Sequence, residues 1–534
     1  MKKIIQISDS EKKDGRWFDN LWFRILLITA IALGIFFRTT GLGNKIYSHD
    51  EAYTSLYAAG YLGGDVFASL WDGNDKTAED MQEFLKPTKD KNAIQVLSLM
   101  ALYRPHQAPL FFILTYYWMQ LVGYTPSAIR WLAAIFGLLS IPAMYWLGRE
   151  LFQSSRAAII SAVMLALSPF HILFSQDARP YSLWTLATLV SSAAFLRAIR
   201  KNTMSTWIVY SLALILGIYS HQLFILVILV QGLYFIGVPL LNKKNRFGGF
   251  LLACAIAFVF YTPWLYFVIT RWQQVTRQVD ILSSQIPLYQ YIKGWILLFS
   301  SPLLDLDFNS TTGNLVSYFL RSLMLLFTAY AFLFLLKQGS KQEKLFPTLI
   351  YVITAGGFIA VDLIFGGMRS TTGRYFVPAN LATILVVAHF VTKKLDLIPA
   401  NAGTKWSLLL SMLMAASIIS NVNSLLADTW WNKELGRVRQ EFVHEINKEQ
   451  TLLIVSGYHP TNLGDVLLLS FEVGPDIHFR LYEDPTDIKY PSGYRNVYWF
   501  PSSSEEVREI SIRERFLVRE VLMGTLWQID GLEE

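Results

Sequence analysis

The chain has 534 residues, of which 53% are hydrophobic and only 16% charged, and its mean hydropathy is +0.36. A soluble globular protein carries about 25% charged residues, so the composition argues against a single soluble enzyme. The 36 Phe, 26 Tyr and 16 Trp exclude a disordered or fibrous chain. The formal charge of +6 fits basic loops on one side of a membrane and predicts no nucleic-acid partner. The one cysteine, Cys254, rules out an internal disulfide framework and a cysteine-based metal site.

Long apolar segments predict an α-helical multi-pass membrane protein, because about 20 apolar residues span a bilayer. A further apolar segment, 109–122, is short and aromatic, and counting it as a span would reverse the side of every later basic cluster. It is therefore predicted as an interfacial or re-entrant helix in the first outer loop. The eleven predicted spans are 21–37, 129–147, 157–174, 183–199, 207–219, 223–241, 250–269, 315–336, 345–365, 375–391 and 406–426.

Lysine and arginine clusters follow alternate spans, which predicts a cytoplasmic N-terminal tail at 1–20. A transmembrane domain would then cover 21–427, with a long outer loop at about 39–127. Residues 428–534 would form a small outer α/β domain, since 451–456 and 477–482 have the pattern of strands and 503–516 that of a capped helix. The simplest role for that domain is a lid or docking module without chemistry of its own.

The segment Ser48-His49-Asp50-Glu51 follows the first span and precedes a helical stretch. Carboxylates at a helix start can accept hydrogen bonds from backbone N–H groups. One carboxylate can therefore be held there while the other accepts a proton. The alternative is an ordinary acidic loop.

The outer turn 175–181 places Asp177, Arg179 and Tyr181 between two spans. The planar guanidinium of an arginine binds two phosphate oxygens at once. Asp177 could orient that arginine, share a metal with Asp50 or hold a sugar hydroxyl. Alternatively, a contact between Asp177 and Arg179 simply ties the turn.

Two more outer turns carry polar candidates. His221 returns to the same face, although a histidine at a membrane boundary is more often a satisfied polar cap. Arg369 and Arg374 depart from the positive-inside trend next to Tyr375. One arginine at the outer side can extend its charged group to the membrane surface. Two arginines next to Gly366, Gly367 and Gly373 are better explained by an anionic ligand at that level.

Three other carboxylates give weaker indications. Asp305 and Asp307 in a long outer loop could bind a divalent cation through oxygen, but a solvated loop explains them as well. Asp362 lies near the outer end of the predicted ninth span, where an ionisable group is costly and indicates function. Its partner cannot be read from the sequence.

Several short motifs follow one another along the first half of the chain. The motifs are His49-Asp50-Glu51, Ala108-Pro109-Leu110, Ala128-Ile129-Arg130, the stretch from Gly148 to Phe152, Ala166-Leu167-Ser168-Pro169 and the stretch from Ser175 to Tyr181. In this order they resemble the multi-spanning glycosyltransferases of the GT-C superfamily, which use polyprenyl-phosphate sugars. That superfamily includes the protein O-mannosyltransferases, the aminoarabinose transferase of lipid A and the catalytic subunit of oligosaccharyltransferase. The resemblance is good over 21–241, moderate to 426 and absent in the tail.

The resemblance implies an inverting hexosyl or pentosyl transfer on the outer face of the membrane. The acidic position of the family's first outer loop maps onto Asp50, as base toward the acceptor or as its orienter, and that of the second onto Asp177. Members differ in metal use, so no cofactor is implied with certainty and a divalent cation at Asp50 and Asp177 stays open. Many relatives have two prolines where this chain has Ala108-Pro109.

The sequence therefore predicts an integral membrane glycosyltransferase that moves a sugar from a polyprenyl-phosphate donor to an acceptor hydroxyl on a protein, glycolipid or polysaccharide. Its partners would be this donor, the acceptor and the bilayer, and the compact chain favours a bacterial plasma membrane with the site facing the periplasm or exterior. Two alternatives stay open: a secondary transporter or flippase for lipid-linked sugars, and a non-catalytic assembly protein whose tail binds a partner. The catalytic candidates are Asp50 and Asp177, and the substrate-binding candidates are His49, Glu51, Arg179, Tyr181, His221, Arg369, Arg374 and Tyr375.

Overall fold

The computed structural model describes residues 21–239, 243–280, 284–306, 311–396, 404–433, 438, 440–457 and 460–532. The predicted cytoplasmic tail 1–20 lies outside the described residues. After the first apolar helix the chain forms a long loop with short helices of its own. These elements are α1 Leu21–Thr39, α2 His49–Ala58, α3 Gly63–Leu70, β1 Asp75–Lys76, α4 Ala78–Gln82, α5 Ala93–Tyr103 and α6 Leu110–Val122.

The membrane part then continues through helices that run back and forth. They are α7 Pro126–Phe152, α8 Ser155–Leu167, α9 Pro169–Ser175, α10 Tyr181–Lys201, α11 Met204–Ser220, α12 Phe224–Gly237, α13 Lys243–Thr270, α14 Trp272–Asp280, α15 Leu288–Ser300, α16 Thr311–Gln338, α17 Lys341–Ile350, α18 Gly357–Phe365, α19 Val377–Asp396 and α20 Thr404–Leu426. A π-helical segment, Tyr351–Gly356, joins α17 to α18. Their buried apolar side chains form one large core.

The prediction of a multi-pass helical membrane protein is confirmed. Within the described residues, eight helical segments are long and apolar enough to cross a bilayer, or nine if the bent pair α8 and α9 forms one span. Two further predicted spans are the shorter helices α11 and α12, of 17 and 14 residues. The count of eleven spans therefore stays a prediction. The aromatic segment predicted to be interfacial forms α6, of 13 residues.

Arg38 stabilises the break between α8 and α9, which bends the chain by 58°. Pro169 lacks an N–H group, so carbonyl groups at the end of α8 need another donor. The Arg38 guanidinium donates to the carbonyls of Leu165 and Ala166 at 2.8 and 2.5 Å. A cation at a helix C-terminus also interacts favourably with the helix dipole. The bend sets the direction of α9 and hence the position of the turn that follows it.

The C-terminal residues form a mixed sheet flanked by helices, as the sequence predicts. The predicted strands 451–456 and 477–482 are observed, and Ser503 caps the predicted helix by accepting a hydrogen bond from the N–H of Glu506 at 3.2 Å. The elements are α21 Gln440–Ile446, β2 Thr451–Ser456, α22 Pro460–Glu472, β3 Ile477–Tyr482, β4 Asn496–Phe500, α23 Ser504–Glu514, β5 Phe516–Leu522 and β6 Leu526–Leu532. The strand order is β1-β3-β2-β4-β6-β5, with β3, β2 and β4 parallel.

The first loop and the C-terminal residues form one folded unit, which we call the head (the described residues of 40–125 and 427–532). Strand β1 of the first loop pairs antiparallel with β3 of the tail. A single hydrophobic core contains Leu56 and Met100 of the first loop together with Leu453, Leu467 and Phe479 of the tail. Because this core is shared, folding of either segment depends on the other.

A close helix crossing gives a test of the packing below the head. A Cβ atom built at Gly34 of α1 would lie 2.4 Å from the carbonyl oxygen of Ala166, whereas one at Gly64 of α3 would meet nothing within 4 Å. Gly34→Ala is expected to cost about 1–3 kcal/mol, because overpacking forces the helices apart. Gly64→Ala is the matched control and should leave stability unchanged or raise it slightly, because alanine favours a helix more than glycine does. Thermal unfolding followed by tryptophan fluorescence would contradict this packing if both variants had the same Tm.

Candidate active site

Helix α2 begins with a reciprocal cap that separates two neighbouring carboxylates. Ser48 donates its backbone N–H to Glu51 Oε2 at 2.9 Å, and Glu51 donates its N–H to Ser48 Oγ at 3.4 Å. This capping box fixes Glu51 against the helix start. Asp50 is left 28% exposed, whereas Glu51 is fully buried. The structure therefore holds Glu51 in the cap and leaves Asp50 accessible, while proton acceptance by Asp50 stays a prediction.

Glu51 is an anchor inside the protein. Arg130 of α7 approaches it with two nitrogens, at 2.7 and 2.8 Å, and Lys433 Nζ lies 2.7 Å from Oε2. The N–H of Ala178 donates to Oε1 at 2.8 Å. Burial alone would raise the pKa of Glu51, but Arg130 and Lys433 hold it well below its usual value. Both oxygens are thus occupied by protein groups, which differs from the predicted role in substrate binding.

Asp50 lies between two arginines that come from distant parts of the sequence. Its Oδ2 is 3.2 Å from Arg374 Nη1 and 3.8 Å from Arg179 Nη2. Arg179 also donates to the Asp50 carbonyl and to Thr54 Oγ1, both at 3.0 Å. Burial alone would raise the pKa of Asp50, but Arg179 and Arg374 lower it below its ordinary value. Asp50 is therefore an ionised, partly accessible carboxylate in a cationic setting.

Asp177 is buried behind this pair and has a different environment. Its Oδ1 accepts no hydrogen bond among the described residues, and Lys433 Nζ lies 3.5 Å away. Burial raises the pKa of Asp177 to about 7, with Lys433 opposing the change and Glu51 adding to it. The Arg179 guanidinium donates to the Asp50 carbonyl and to Thr54 Oγ1, whereas the backbone N–H of Arg179 donates to the Asp177 carbonyl at 2.6 Å. The backbone contact therefore ties the turn, as the alternative holds, and the side chain of Arg179 faces Asp50.

The other aromatic and histidine candidates line the same region. The His221 ring stacks on Trp184 at 4.0 Å, and its Nδ1 accepts a hydrogen bond from the N–H of Leu223 at 3.2 Å. Burial lowers the pKa of His221 to about 3, with a further contribution from the nearby arginines. His221 is therefore a neutral, packed residue, in agreement with the polar-cap alternative. Tyr181 packs on Phe174 with its ring 5.8 Å from the Arg179 guanidinium.

Arg369 does not contact Asp50 directly. Its Nη1 lies 3.2 Å from Asp362 Oδ1 and donates to the Gly366 carbonyl at 2.9 Å. Asp362 also accepts the N–H of Ser370 at 2.5 Å. These bonds identify the partner of Asp362 and assign to the pair a role in shaping the turn that presents Arg374.

His49 and Tyr375 are the sequence neighbours of Asp50 and Arg374, and each packs on a different part of the fold. A Cβ atom built at Gly464 of α22 would lie 2.2 Å from His49 Nδ1, so His49 packs directly on the backbone of a tail helix. Tyr375 stacks on Phe358 at 5.2 Å, and the Arg374 guanidinium lies 5.8 Å from its ring.

The arrangement does not fit a divalent cation. The outer face of Asp50 is taken by two guanidinium groups, and the cation nearest to Asp177 is an ammonium. Among the described residues no group of three or more His, Cys, Asp or Glu side chains could hold a metal ion. Asp305 pairs with Arg321 at 2.6 Å, which leaves no open carboxylate there, and Asp307 lies outside the described residues.

Sequence reasoning missed Lys433 and did not give Arg130 a role. Arg130 stands in a quoted motif, yet only the fold shows that it faces Glu51. Lys433 follows the last span on the predicted outer side, two residues after Trp431. A basic residue there departs from the positive-inside trend, which is the signal that singled out Arg374.

Residues 106–267 match the protein family described as dolichyl-phosphate-mannose-protein mannosyltransferase. A comparison with curated proteins gives no significant match. Among solved structures, ArnT from Cupriavidus metallidurans bound to undecaprenyl phosphate has a TM-score of 0.53 and 13% identity, covering 94% of this chain and 97% of its own. The apo oligosaccharyltransferase of Archaeoglobus fulgidus has a TM-score of 0.50 and 13% identity. The match covers 95% of this chain and 70% of the oligosaccharyltransferase chain.

A second structure from Archaeoglobus fulgidus, the oligosaccharyltransferase AglB in complex with an inhibitory peptide and a dolichol-phosphate, gives a TM-score of 0.50 at 14% identity, covering 86% of this chain and 65% of its own. The chain therefore has the GT-C fold of a multi-pass membrane protein, and the resemblance stated from its motifs is confirmed. The matched family segment includes Asp177 and Arg179 and begins after Asp50.

The environment of Asp177 predicts a pH-dependent stability. Because its folded-state pKa is raised, the folded protein binds a proton more tightly than the unfolded chain, and this contribution is lost as the pH rises from about 4 to about 7. Asparagine does not titrate, so Asp177→Asn does not lose stability as the pH rises through this range. The Tm of the variant minus the Tm of wild type should therefore be larger at pH 8 than at pH 5.

Asp72→Asn is the control for this measurement. Burial alone would raise the pKa of Asp72, but hydrogen bonds from Lys76 and Asn74 together lower it to about 2, so Asp72 is ionised in both states at pH 5 and at pH 8. Its effect on Tm should be the same at the two pH values. An equally pH-independent effect of Asp177→Asn would show that Asp177 has an ordinary pKa.

Proposed function

We propose that the protein is an inverting glycosyltransferase that moves a sugar from a polyprenyl-phosphate donor to an acceptor hydroxyl. The observation that carries the proposal is Asp50 with Arg179 and Arg374 on one accessible face. A carboxylate can accept the proton of a hydroxyl, and two guanidinium groups can bind a phosphate with planar, paired hydrogen bonds. The GT-C fold supports this assignment, since ArnT is bound to undecaprenyl phosphate and AglB to a dolichol-phosphate.

The cationic setting favours an anionic ligand over a neutral one. Besides holding Asp50, Arg179 contributes, after burial itself, to lowering the pKa of His106 and of His221. A donor phosphate placed between Arg179 and Arg374 would compensate this positive potential. Fixed charges of this kind stabilise a leaving group without reorganising during the reaction.

The reaction follows as a single displacement. The acceptor oxygen forms a bond to the anomeric carbon of the sugar, and its proton passes to the Asp50 carboxylate. The bond from the anomeric carbon to the phosphate oxygen breaks, and the electron pair leaves with polyprenyl phosphate, which Arg179 and Arg374 hold. One displacement at the anomeric carbon inverts its configuration.

Donor binding also prepares the base. In the free protein, ion pairs with Arg179 and Arg374 lower the pKa of Asp50 and make it a weak proton acceptor. A bound phosphate shares these arginines and adds negative charge nearby, and both effects raise the pKa of Asp50. Asp50 therefore becomes an effective base once the donor is in place, which protects the donor-free site from side reactions.

The head is proposed to lie on the non-cytoplasmic side, which in a bacterium is the periplasm or exterior. The opposite ends of the helices carry the basic groups, including Arg156 paired with Asp396 at 2.7 Å and Arg200 bonded to Glu150. Basic residues mark the cytoplasmic ends of spans. The acceptor would then be a hydroxyl of a protein, glycolipid or polysaccharide outside the cytoplasm.

The first test compares Asp50→Asn with wild type on a panel of polyprenyl-phosphate monosaccharides and hydroxyl acceptors. Loss of general-base catalysis should lower the rate of sugar transfer by about 10²–10⁴-fold. The measurement is the release of polyprenyl phosphate by purified full-length protein in lipid nanodiscs. Binding of undecaprenyl phosphate should persist, because both arginines are intact.

Asp72→Asn is the matched control. Asp72 is a carboxylate of the head whose partner is Lys76, at 2.8 Å, and not Arg179 or Arg374. It should retain wild-type transfer. Full activity of Asp50→Asn would contradict the assignment of Asp50 as the base. Passage of intact donor across the bilayer without cleavage, measured with the same protein in sealed proteoliposomes, would favour the transporter alternative.

The second test concerns stereochemistry. A donor of defined anomeric configuration is used with wild-type protein, and the anomeric proton coupling of the product is read by NMR. The single-displacement geometry predicts inversion. Retention would require a covalent sugar intermediate, and the mechanism built on Asp50 as base would then be wrong.

A further inference from the structure

The short turn Trp430 to Lys433, which connects the last membrane helix to the tail, is fixed on several sides. The indole N–H groups of Trp430 and Trp431 both donate to Asp305 Oδ2 at 2.9 Å. The other oxygen of Asp305 pairs with Arg321 at 2.6 Å in the interior. Residues 430–433 therefore have little freedom, and they bring Lys433 to a defined point.

The same turn supports one wall of the candidate active site. A Cβ atom built at Gly373 would lie 2.5 Å from the Trp431 ring, so the ring packs directly on the backbone next to Arg374. Trp431 also packs on Phe170 and Phe174 of α9, with ring centroids 6.4 and 6.0 Å away. Movement of this turn would move both the Arg374 turn and the helix that leads to Asp177.

The ammonium of Lys433 lies between two carboxylates. It is 2.7 Å from Glu51 Oε2 and 3.5 Å from Asp177 Oδ1, and its side chain is 1% exposed. Arg130 already pairs with Glu51 through two nitrogens, so the charge of Lys433 is also available to Asp177. A buried carboxylate is costly without a cation nearby.

The tail also contacts the residues before and after the Ser48 cap at the start of α2. Glu472 of α22 accepts the N–H of Tyr47 at 2.9 Å, just before the cap, and Gly464 packs on His49, the first residue of the helix. The position of Asp50 is thus defined by contacts from tail residues as well as by its own helix.

We propose that Lys433 is a positioning residue for sugar transfer, an inference that rests on the proposed function. Through Lys433, docking of the tail fixes the position of Asp177 and of the start of α2, which carries Asp50. Lys433 does not touch the donor phosphate, which Arg179 and Arg374 bind. The tail domain, whose sequence suggests only a lid or docking module, thereby completes the reacting site.

The test uses full-length protein in nanodiscs with Lys433→Met, which keeps the length of the side chain and removes its charge, and Lys433→Arg, which keeps the charge. Lys433→Met should lower kcat at least tenfold, while the affinity for undecaprenyl phosphate stays within about twofold of wild type. Lys433→Arg should recover a large part of kcat. Lys448→Met is the control and should match wild type, because Lys448 is an exposed tail lysine that pairs with Glu445 at 2.5 Å.

Each outcome has a defined meaning. Wild-type kcat in Lys433→Met overturns the positioning role, as does a parallel loss of kcat, Tm and lipid-phosphate affinity, which indicates a purely structural role. If Lys433→Met does not fold, Lys433→Gln carries the same test, because its amide can still donate to Glu51 without a charge. Inactive wild-type protein on the whole donor panel is a different result, which removes the proposed function and this inference with it.

Discussion

The carboxylate of Glu51 accepts hydrogen bonds from four separate parts of the chain, and the geometry of the site depends on this buried contact. Its donors come from the start of α2, from Arg130 in α7, from the N–H of Ala178 and from Lys433 in the turn after α20. A buried charge that loses one partner costs about 3–5 kcal/mol. The arrangement therefore tolerates little rearrangement, and it holds segments together that are nearly four hundred residues apart in sequence.

The hydrogen bonds that hold the Glu51 carboxylate inside the protein also determine the environment of its neighbour Asp50. Because the capping box turns Glu51 inward, Asp50 projects to the accessible side, where Arg179 and Arg374 meet it. Two adjacent carboxylates thus have different environments, and the pKa of each is set by different cations. Asp177 has a third environment, in which burial outweighs the single ammonium at 3.5 Å. Because the environments differ, one site holds a fixed carboxylate, an accessible ionised carboxylate and an acid whose pKa is near 7.

The head explains how a membrane bundle keeps such a site rigid. Strand β1 of the first loop belongs to the sheet of the tail, and Leu56 and Leu467 share one hydrophobic core. The first loop is therefore not a free segment between two spans, because the tail covers its apolar face. Polar groups near a membrane surface keep fixed positions only when packing of this kind holds their backbone.

The sequence by itself determined the local features: apolar segments of spanning length, the Ser48-to-Glu51 cap, the strands 451–456 and 477–482, and motifs that resemble those of the GT-C superfamily. These follow from periodicity and nearest-neighbour hydrogen bonds, which a short stretch of chain encodes. Only the tertiary structure decided that Arg374 meets Asp50 and that Lys433 lies between Glu51 and Asp177. Contacts of this kind depend on helix bends, such as the one stabilised by Arg38, and on docking of the tail. The direction of a buried charged side chain is set by the whole fold, because only the fold supplies its partners.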